Sequence, residues 1–418
     1  KGPIMIDPKL LREDPERIRA NCLRRGCTVD FDALLILDQA VRALITETET
    51  LRNERNRLSK ECRDNPAARD QVRAIKERLS TLEPELSSKE QELQSALAWL
   101  PNFLDPAVPD GAGDADNREI RKWGEPPAFS YPPRDHQTLG EQLDLLDISR
   151  GTKVAGSGFY YWKGKGAQLC NALFFWVQQE LVRRGFTSFM TPCLAKEHTL
   201  FGTGYLPFFA DQTYRLADGG LALIGTSEQT LVGYHADEIL PAESLPRRYT
   251  AFTPCFRTEA GSYGKATRGI FRVHQFHKVE QIVFCLPEDS PACHEECQRN
   301  EEDLVRQLGI PYRVVEVCVG DLGAPGYRKY DIEAWFAGFN GYREITSNTN
   351  LTDFQARRLG IRYKSRDGLK GFVHTISATA VTDRLALAII ENNQQADGSI
   401  IVPDVLRPLT GFDRITPG

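Results

Sequence analysis

The chain has 418 residues, with 57 Asp and Glu against 52 Lys and Arg and a net charge of −5 at pH 7. That length allows two or more domains with a large core, and the mild acidity means any nucleic-acid contact must come from a local basic patch. No apolar run reaches membrane-spanning length, the first residues lack a charged-then-apolar signal pattern, and the ten cysteines lack close CxxC pairs. Reduced thiols in a cytoplasmic protein without a membrane span are therefore expected.

Residues 31–100 predict two helices. Leu37, Val41, Leu44, Leu51 and Leu58 follow a heptad, with Thr48 and Arg55 at the intervening seam positions. Asp64-Asn65-Pro66 is a polar break, and a second heptad runs through Val72, Ile75, Leu79, Leu82, Leu86, Leu93 and Leu100. Two such helices joined by a tight turn predict an antiparallel coiled-coil hairpin. Pro84 should bend the second helix or break one backbone hydrogen bond. Between Arg52 and Arg78 lie nine basic and five acidic residues, a local positive excess on a thin rod. A solvated coiled-coil flank and a nucleic-acid arm fit that pattern equally well.

The proline-rich stretch 101–135, which contains the run DGAGDAD, predicts an irregular, mostly exposed linker. Ala167 to Arg184 is amphipathic, with Leu169, Leu173, Trp176, Val177 and Leu181 on one side and Gly185 placed to end the helix. The strand FTSFMTP follows and closes at Pro192. Further on, Cys293, His294 and Cys297 form a CHEEC cluster in a helical stretch, but it lacks a second ligand pair and predicts no metal.

The stretch Phe256–Glu280, FRTEAGSYGKATRGIFRVHQFHKVE, carries the strongest chemical signal. Strand alternation puts Arg272, His274, Phe276, Lys278 and Glu280 on one face, and that face is polar and aromatic where a core strand should be aliphatic. Arg257 and Glu259 share a parity on the preceding strand, with Thr258 pointing away. A rigid guanidinium suits phosphate oxygens and an aromatic face suits a purine. Phe276 and Glu280 lie about 13 Å apart at strand rise, roughly the span from an adenine ring to a group on the α-phosphate.

These residues resemble motif 2 of class II aminoacyl-tRNA synthetases, in the form carried by seryl-tRNA synthetases, and the resemblance extends from Met5 to Leu409. It implies an α+β chain: an N-terminal tRNA-binding domain over 1–100 with a helical arm at 31–100, a linker at 101–135, and a catalytic domain over 136–418 built on an antiparallel sheet flanked by helices. The helix and strand that end at Pro192 would be motif 1, which implies a homodimer. The implied substrates are L-serine, ATP with Mg²⁺, and tRNA(Ser) together with tRNA(Sec). Arg52, Arg55, Arg63, Arg69 and Arg73 would then contact the tRNA backbone.

The resemblance also implies roles in the site. Arg257 would be catalytic, reaching both the α-phosphate and the serine. Thr258, Glu259, Arg272, Val273 and Phe276 would complete the nucleotide side, with Glu259 at the adenine end, Phe276 stacked on the ring and Arg272 at the phosphates. Glu344 and Ser347, in YREITSNTN, match an E-x-x-S element that supplies hard oxygen ligands for Mg²⁺. Thr226, Ser227 and Glu228, in LIGTSEQ, match a T-x-E loop for the amino acid, with Glu228 countering its ammonium. Glu280 and Thr379 match the positions that hold its hydroxyl, and such a site disfavours analogues lacking that group.

Arg384 fits the motif 3 arginine that covers the other face of adenine. The segment before it, HTISATAVTDR, departs from the family pattern. Ser377 stands in an asparagine's place, only four residues separate Thr379 from Arg384, and Asp383 sits beside the arginine. A one-residue change in a strand turns the following side chains to the other face unless a bulge or a helix start absorbs it. Three outcomes are compatible with these departures: a working serine–tRNA ligase, a specialised paralogue that supplies seryl-tRNA to a biosynthetic pathway or tolerates an inhibitor, and a non-catalytic tRNA-binding paralogue.

Overall fold

The structure is a computed structural model that describes residues 8–61, 65–217, 219–260 and 269–417. Arg63 and the motif 2 loop residues 261–268 lie outside the described residues. The chain divides into two compact units, one running to Pro101 and the other beginning at Asn102.

The first unit is dominated by helix α1 (Phe31–Ser59) and helix α2 (Pro66–Leu97). Each begins where a short polar side chain can accept from the first-turn amides. Asp30 accepts from the Ala33 N–H at 3.0 Å, and Asn65 accepts from the Ala67 N–H at 3.0 Å, with Pro66 in the first turn. Leu58, Ala68, Val72, Ile75 and Leu79 pack as one cluster between the helices, and Arg52–Glu83 and Arg78–Glu47 pairs bracket it at 2.7 and 2.8 Å.

At the base, the seam differs from the heptad read in the sequence. Val41 and Thr48 are buried at their heptad positions, but Leu34 and Asp38 are buried with them, while Leu37 is only half-buried. The Asp38 carboxylate tolerates burial because Arg42 donates to it at 2.8 Å and Arg12 lies 3.6 Å away. Helix α2 runs through Pro84 as one element, with the proline on its exposed face. A carbonyl left without a partner there can bond to water.

The second unit is built on an eight-stranded sheet. Its strands are β1 (Arg118–Trp123), β2 (Thr187–Phe189), β3 (Arg247–Phe256), β4 (Gln275–Cys285), β5 (Tyr312–Glu316), β6 (Arg328–Phe336), β7 (Gly341–Thr352) and β8 (His374–Thr382). The spatial order is β1-β5-β6-β7-β8-β4-β3-β2, antiparallel throughout except for the last pair. With helices segregated from a mostly antiparallel sheet, the fold is α+β.

Part of the stretch read as an irregular linker is therefore structured: Arg118–Trp123 is an edge strand paired with β5. It shows no apolar alternation because its side chains answer charges. Arg118 pairs with Glu316, and Arg121 lies 2.7 Å from Glu302. Asn102 is likewise buried, donating to the carbonyls of Pro325 and Leu351.

Helices α3 (Gly164–Arg183), α4 (Ser290–Gln307) and α5 (Asp383–Asn392) contribute Leu173, Val177, Leu304 and Ile390 to the main core, which packs on Val279 and Val283 of β4. Gly185, at φ 88°, follows the end of α3 in the left-handed conformation that suits glycine. On the opposite face of β4, Ile282 and Phe284 join a second cluster with Tyr249 and Leu359. Phe276, Lys278 and Glu280 share that face but front a cleft, which is why this central strand is polar for half its length. Among the described residues no helix is long and apolar enough to cross a membrane.

Candidate active site

The cleft has a volume of about 510 Å³ and lies over β4, β6, β7 and β8. Glu228, Arg257, Glu259, Arg272, Val273, Phe276, Glu280, Glu344, Ser347, Thr379 and Arg384 all line it. Residues dispersed over more than 150 positions of sequence thus share one cavity. Thr226, Ser227 and Thr258 do not line it.

The cationic end forms where β3 stops at Phe256. The Arg257 N–H donates to the His274 carbonyl at 3.0 Å, and the Arg257 guanidinium lies 5.3 Å from the centroid of Phe276. Burial opposes the Arg257 charge, but Tyr205, Cys255, Glu259 and Glu344 more than compensate, so its pKa is raised. Glu259 takes the left-handed conformation (φ 49°) and accepts from Arg272 at 3.1 Å. Thr258 turns away, its N–H donating to the Gln212 carbonyl and its hydroxyl to the Asp211 carbonyl.

One residue of the alternating face leaves it. Strand β4 begins only at Gln275, so Arg272 and His274 precede it. The His274 ring packs against Phe159 and bonds to the Arg257 carbonyl at 3.1 Å, while the His274 backbone N–H donates to the Gly158 carbonyl. His274 buttresses the cleft from outside.

The facing wall is Arg384 with Glu344. The Arg384 guanidinium donates to the Glu344 carbonyl at 2.9 Å, lies 3.3 Å from its carboxylate, and reaches the Phe271 carbonyl at 3.3 Å. The shortened segment before it is absorbed in two ways. Thr379 pairs with Glu280, but the next paired residue is Val381, opposite Val279, so Ala380 is bulged. Helix α5 then starts at once, with Thr382 as its N-cap. Asp383, buried in its first turn, accepts from the Trp162 indole at 2.9 Å and from the His277 N–H at 2.5 Å.

The far end of the cleft is a compact carboxylate network. One Glu280 oxygen accepts from the hydroxyls of Thr226 and Ser227 and from the Glu228 N–H, and the other lies 2.5 Å from the Lys278 ammonium. Burial alone would raise the Glu280 pKa, but Lys278 and the two hydroxyls hold it below the usual carboxylate value. Thr226 and Ser227 therefore stand behind Glu280, one layer from the cavity. Burial and neighbouring Glu280 push Glu228 upward, opposed by Lys278 and by hydrogen bonds from Ser377 and Gln355. Tyr205 adds a hydroxyl 3.3 Å from Glu228.

A fourth group sits on β6 and β7. Asp331 faces Ser347 across the strands, and Lys329 lies 3.2 Å from Asp331 and lines the cleft. Burial raises Asp331 to about 7, with Lys329 opposing and Glu344 adding to the rise. Loss of part of its hydration would also raise the half-exposed Glu344, but Arg384 and Lys329 hold it below the usual carboxylate value. The half-exposed Glu344 carboxylate and the Ser347 hydroxyl, which both line the cleft, are hard donors that fit Mg²⁺. The sequence reading missed Lys329, Asp331, Tyr205 and Gln355. A cross-strand register would have found Asp331 opposite Ser347, but neither Tyr205 nor Gln355 has a local signal. His294 of the CHEEC cluster is instead stacked on Tyr330 at 4.8 Å and bonded to the Asn348 carbonyl, and burial lowers its pKa to about 4.

Residues 214–393 match the tRNA synthetase class II core domain (G, H, P, S and T), so this cleft lies in a class II aminoacyl-tRNA synthetase core. Residues 5–104 match the seryl-tRNA synthetase N-terminal domain. The chain is 44% identical to the serine--tRNA ligase of Treponema denticola, covering 98% of this chain and 100% of that protein. It also superimposes on the crystal structure of seryl-tRNA synthetase from Pyrococcus horikoshii complexed with ATP, with a TM-score of 0.93, 39% identity, and 99% and 100% of the two chains covered. The cytoplasmic serine-tRNA ligase of Naegleria fowleri in complex with AMP is similar at a TM-score of 0.87 and 32% identity, covering 99% of each chain. The chain belongs to the seryl-tRNA synthetase family.

Proposed function

We propose that the protein is a serine–tRNA ligase, which activates L-serine with ATP to seryl-adenylate and transfers the seryl group to the 3′ end of tRNA(Ser). The observation that carries this is the set of groups gathered in one cleft: Arg384 bonded to Glu344, Arg257 beside Phe276, and Glu280 joined to Glu228. That set matches a nucleotide joined through its α-phosphate to a small polar amino acid.

A serine carboxylate oxygen attacks the α-phosphorus, and the bond to the pyrophosphate oxygen breaks. The work is positioning and charge neutralisation. Arg257 contacts the α-phosphate and the attacking carboxylate, while Phe276 and Arg384 hold the adenine between them and Glu259 its edge. Arg272 and Val273 flank the nucleotide, and Thr258 anchors their loop from behind. Glu344 and Ser347 would hold Mg²⁺, which when bound would neutralise charge on the phosphates. Glu228 meets the serine ammonium, Thr379 and Glu280 meet its hydroxyl, and Thr226 and Ser227 fix Glu280.

The hairpin unit is the tRNA-binding domain, its basic tip gripping the RNA backbone through Arg52, Arg55, Arg63, Arg69 and Arg73, with the domain from residue 136 onward catalytic. We further infer a homodimer, in keeping with the exposed Phe175 and Val182 on α3. We also infer tRNA(Sec) as a second acceptor and a cytoplasmic site of action, where reduced cysteines persist. Serine-dependent pyrophosphate exchange into ATP, followed by acylation of tRNA(Ser), tests the activity. Absence of serine-dependent exchange would refute it.

A further inference from the structure

The helix Phe354–Leu359 places Gln355 at the back of the amino-acid end of the cleft, with no solvent exposure. Its amide nitrogen donates to the Glu228 carboxylate at 2.5 Å and to the Thr203 carbonyl at 3.1 Å. Its amide oxygen accepts from the Thr375 hydroxyl at 2.8 Å. Thr375 is itself fully buried on β8, two residues before Ser377, which lines the cleft with Glu228.

The orientation of this amide is forced. The Thr203 carbonyl and the Glu228 carboxylate accept only, so both must face the NH₂ end. The Thr375 hydroxyl then donates to the oxygen. A flipped amide would turn its oxygen on a carboxylate and leave a buried carbonyl without a donor, and such losses are costly in the interior.

We propose that Gln355, locked in one orientation by Thr375, is a positioning residue that aims the Glu228 carboxylate at the ammonium of the amino-acid substrate. This rests on the assignment of Glu228 to that ammonium. Glu228 is buried beside a second carboxylate, Glu280, with one oxygen on Gln355 and the other on the Tyr205 hydroxyl, so without the Gln355 donor it is free to rotate about the Tyr205 contact and away from the substrate. Gln355 does not line the cleft, so it acts on the substrate through Glu228.

The test is pyrophosphate exchange with serine and ATP varied separately, in the full-length wild type, Gln355→Met, Thr375→Val and the double variant. Gln355→Met keeps the length and removes the hydrogen bonds. It should raise the KM for serine about 10- to 100-fold, the worth of a hydrogen bond to a charged group, with the KM for ATP within about twofold of wild type. Thr375→Val leaves every Glu228 contact in place yet frees the amide, and should raise the serine KM by about 3- to 10-fold, the worth of a neutral hydrogen bond. The double variant should be no worse than Gln355→Met, because the two residues act in one chain. Unchanged serine KM in Gln355→Met, equal rises for serine and ATP, or additive effects in the double variant would overturn the relay. A wild type without serine-dependent exchange would instead overturn the ligase assignment on which the relay depends.

Discussion

Replacing Glu280 with glutamine keeps the shape of the side chain and removes one charge from a closed network. In the native arrangement one oxygen takes three donors, from Thr226, Ser227 and the Glu228 N–H, and the other faces the Lys278 ammonium at 2.5 Å. An amide cannot serve both sides. If its oxygen faces the three donors, its NH₂ points at a cation; if it flips, the Glu228 N–H loses its acceptor. Lys278 and Glu280 are only 6% and 1% exposed, so solvent offers little relief. Removing one partner of a buried ion pair costs about 3–5 kcal/mol. If about 3–4 kcal/mol of that falls on substrate binding and the transition state, kcat/KM for serine drops by about 10²- to 10³-fold. The assay is pyrophosphate exchange at varied serine, with the ATP KM as internal control. Lys278→Met combined with Glu280→Gln should be less destabilised toward urea than Glu280→Gln alone, since it removes the stranded cation. An exchange rate within threefold of wild type in Glu280→Gln, or a double variant less stable than the single one, would refute this account of the network.

Glu301 is fully buried, accepts from Thr346 at 2.7 Å, and is pushed well above the usual carboxylate range by burial and by neighbouring Asp331 and Glu302. A carboxyl with a raised folded-state pKa binds a proton the unfolded chain releases, so its stabilising effect is full below the unfolded pKa and is lost as pH rises through the folded one. Glu301→Gln mimics the protonated form and should therefore match wild type in urea titrations near pH 4 and exceed it near pH 9; equal stability at both would show that Glu301 is ionised in the fold. Glu344→Gln should lower kcat/KM for ATP by about 10²-fold, the worth of one charge-assisted contact, and shift the Mg²⁺ requirement to higher concentration. Chelation of divalent ions should abolish exchange and added Mg²⁺ restore it. In the hairpin unit, changing Arg69 and Arg73 to glutamine should weaken tRNA charging and flatten its salt dependence by about two charges while leaving serine activation near wild type. Equal loss in both assays would remove the basis for separate roles.

Periodicity carried much of this architecture. Phe276, Lys278 and Glu280 were legible as one functional face because a strand enforces a two-residue repeat, and Val72, Ile75 and Leu79 were legible as a seam because a coiled coil enforces a seven-residue one. The same rule failed at its edges. His274 was placed with the cleft residues by counting backward through positions where no strand exists, and backbone outside a strand has no alternation to count. Arg118–Trp123 hid as linker because an edge strand can be held by ion pairs instead of apolar contacts. Asp331 and Gln355 were invisible for a different reason. Their importance lies in what stands across from them, Ser347 in one case and Glu228 in the other, and such registers are tertiary facts.

The bulge at Ala380 separates two requirements that a plain strand would bind together. Thr379 is fixed by its pairing with Glu280, and Arg384 by its grip on Glu344 and the Phe271 carbonyl. Of the three residues between Thr379 and Asp383, Val381 pairs with Val279 and Thr382 caps helix α5 and donates to the Ile345 carbonyl, so the bulged Ala380 alone acts as an expansion joint. A length change there is taken up as a fold in the backbone and does not travel to the two ends. The distance between the Glu280 and Arg384 ends of the cleft is then set by the sheet beneath and not by the length of this short stretch of chain.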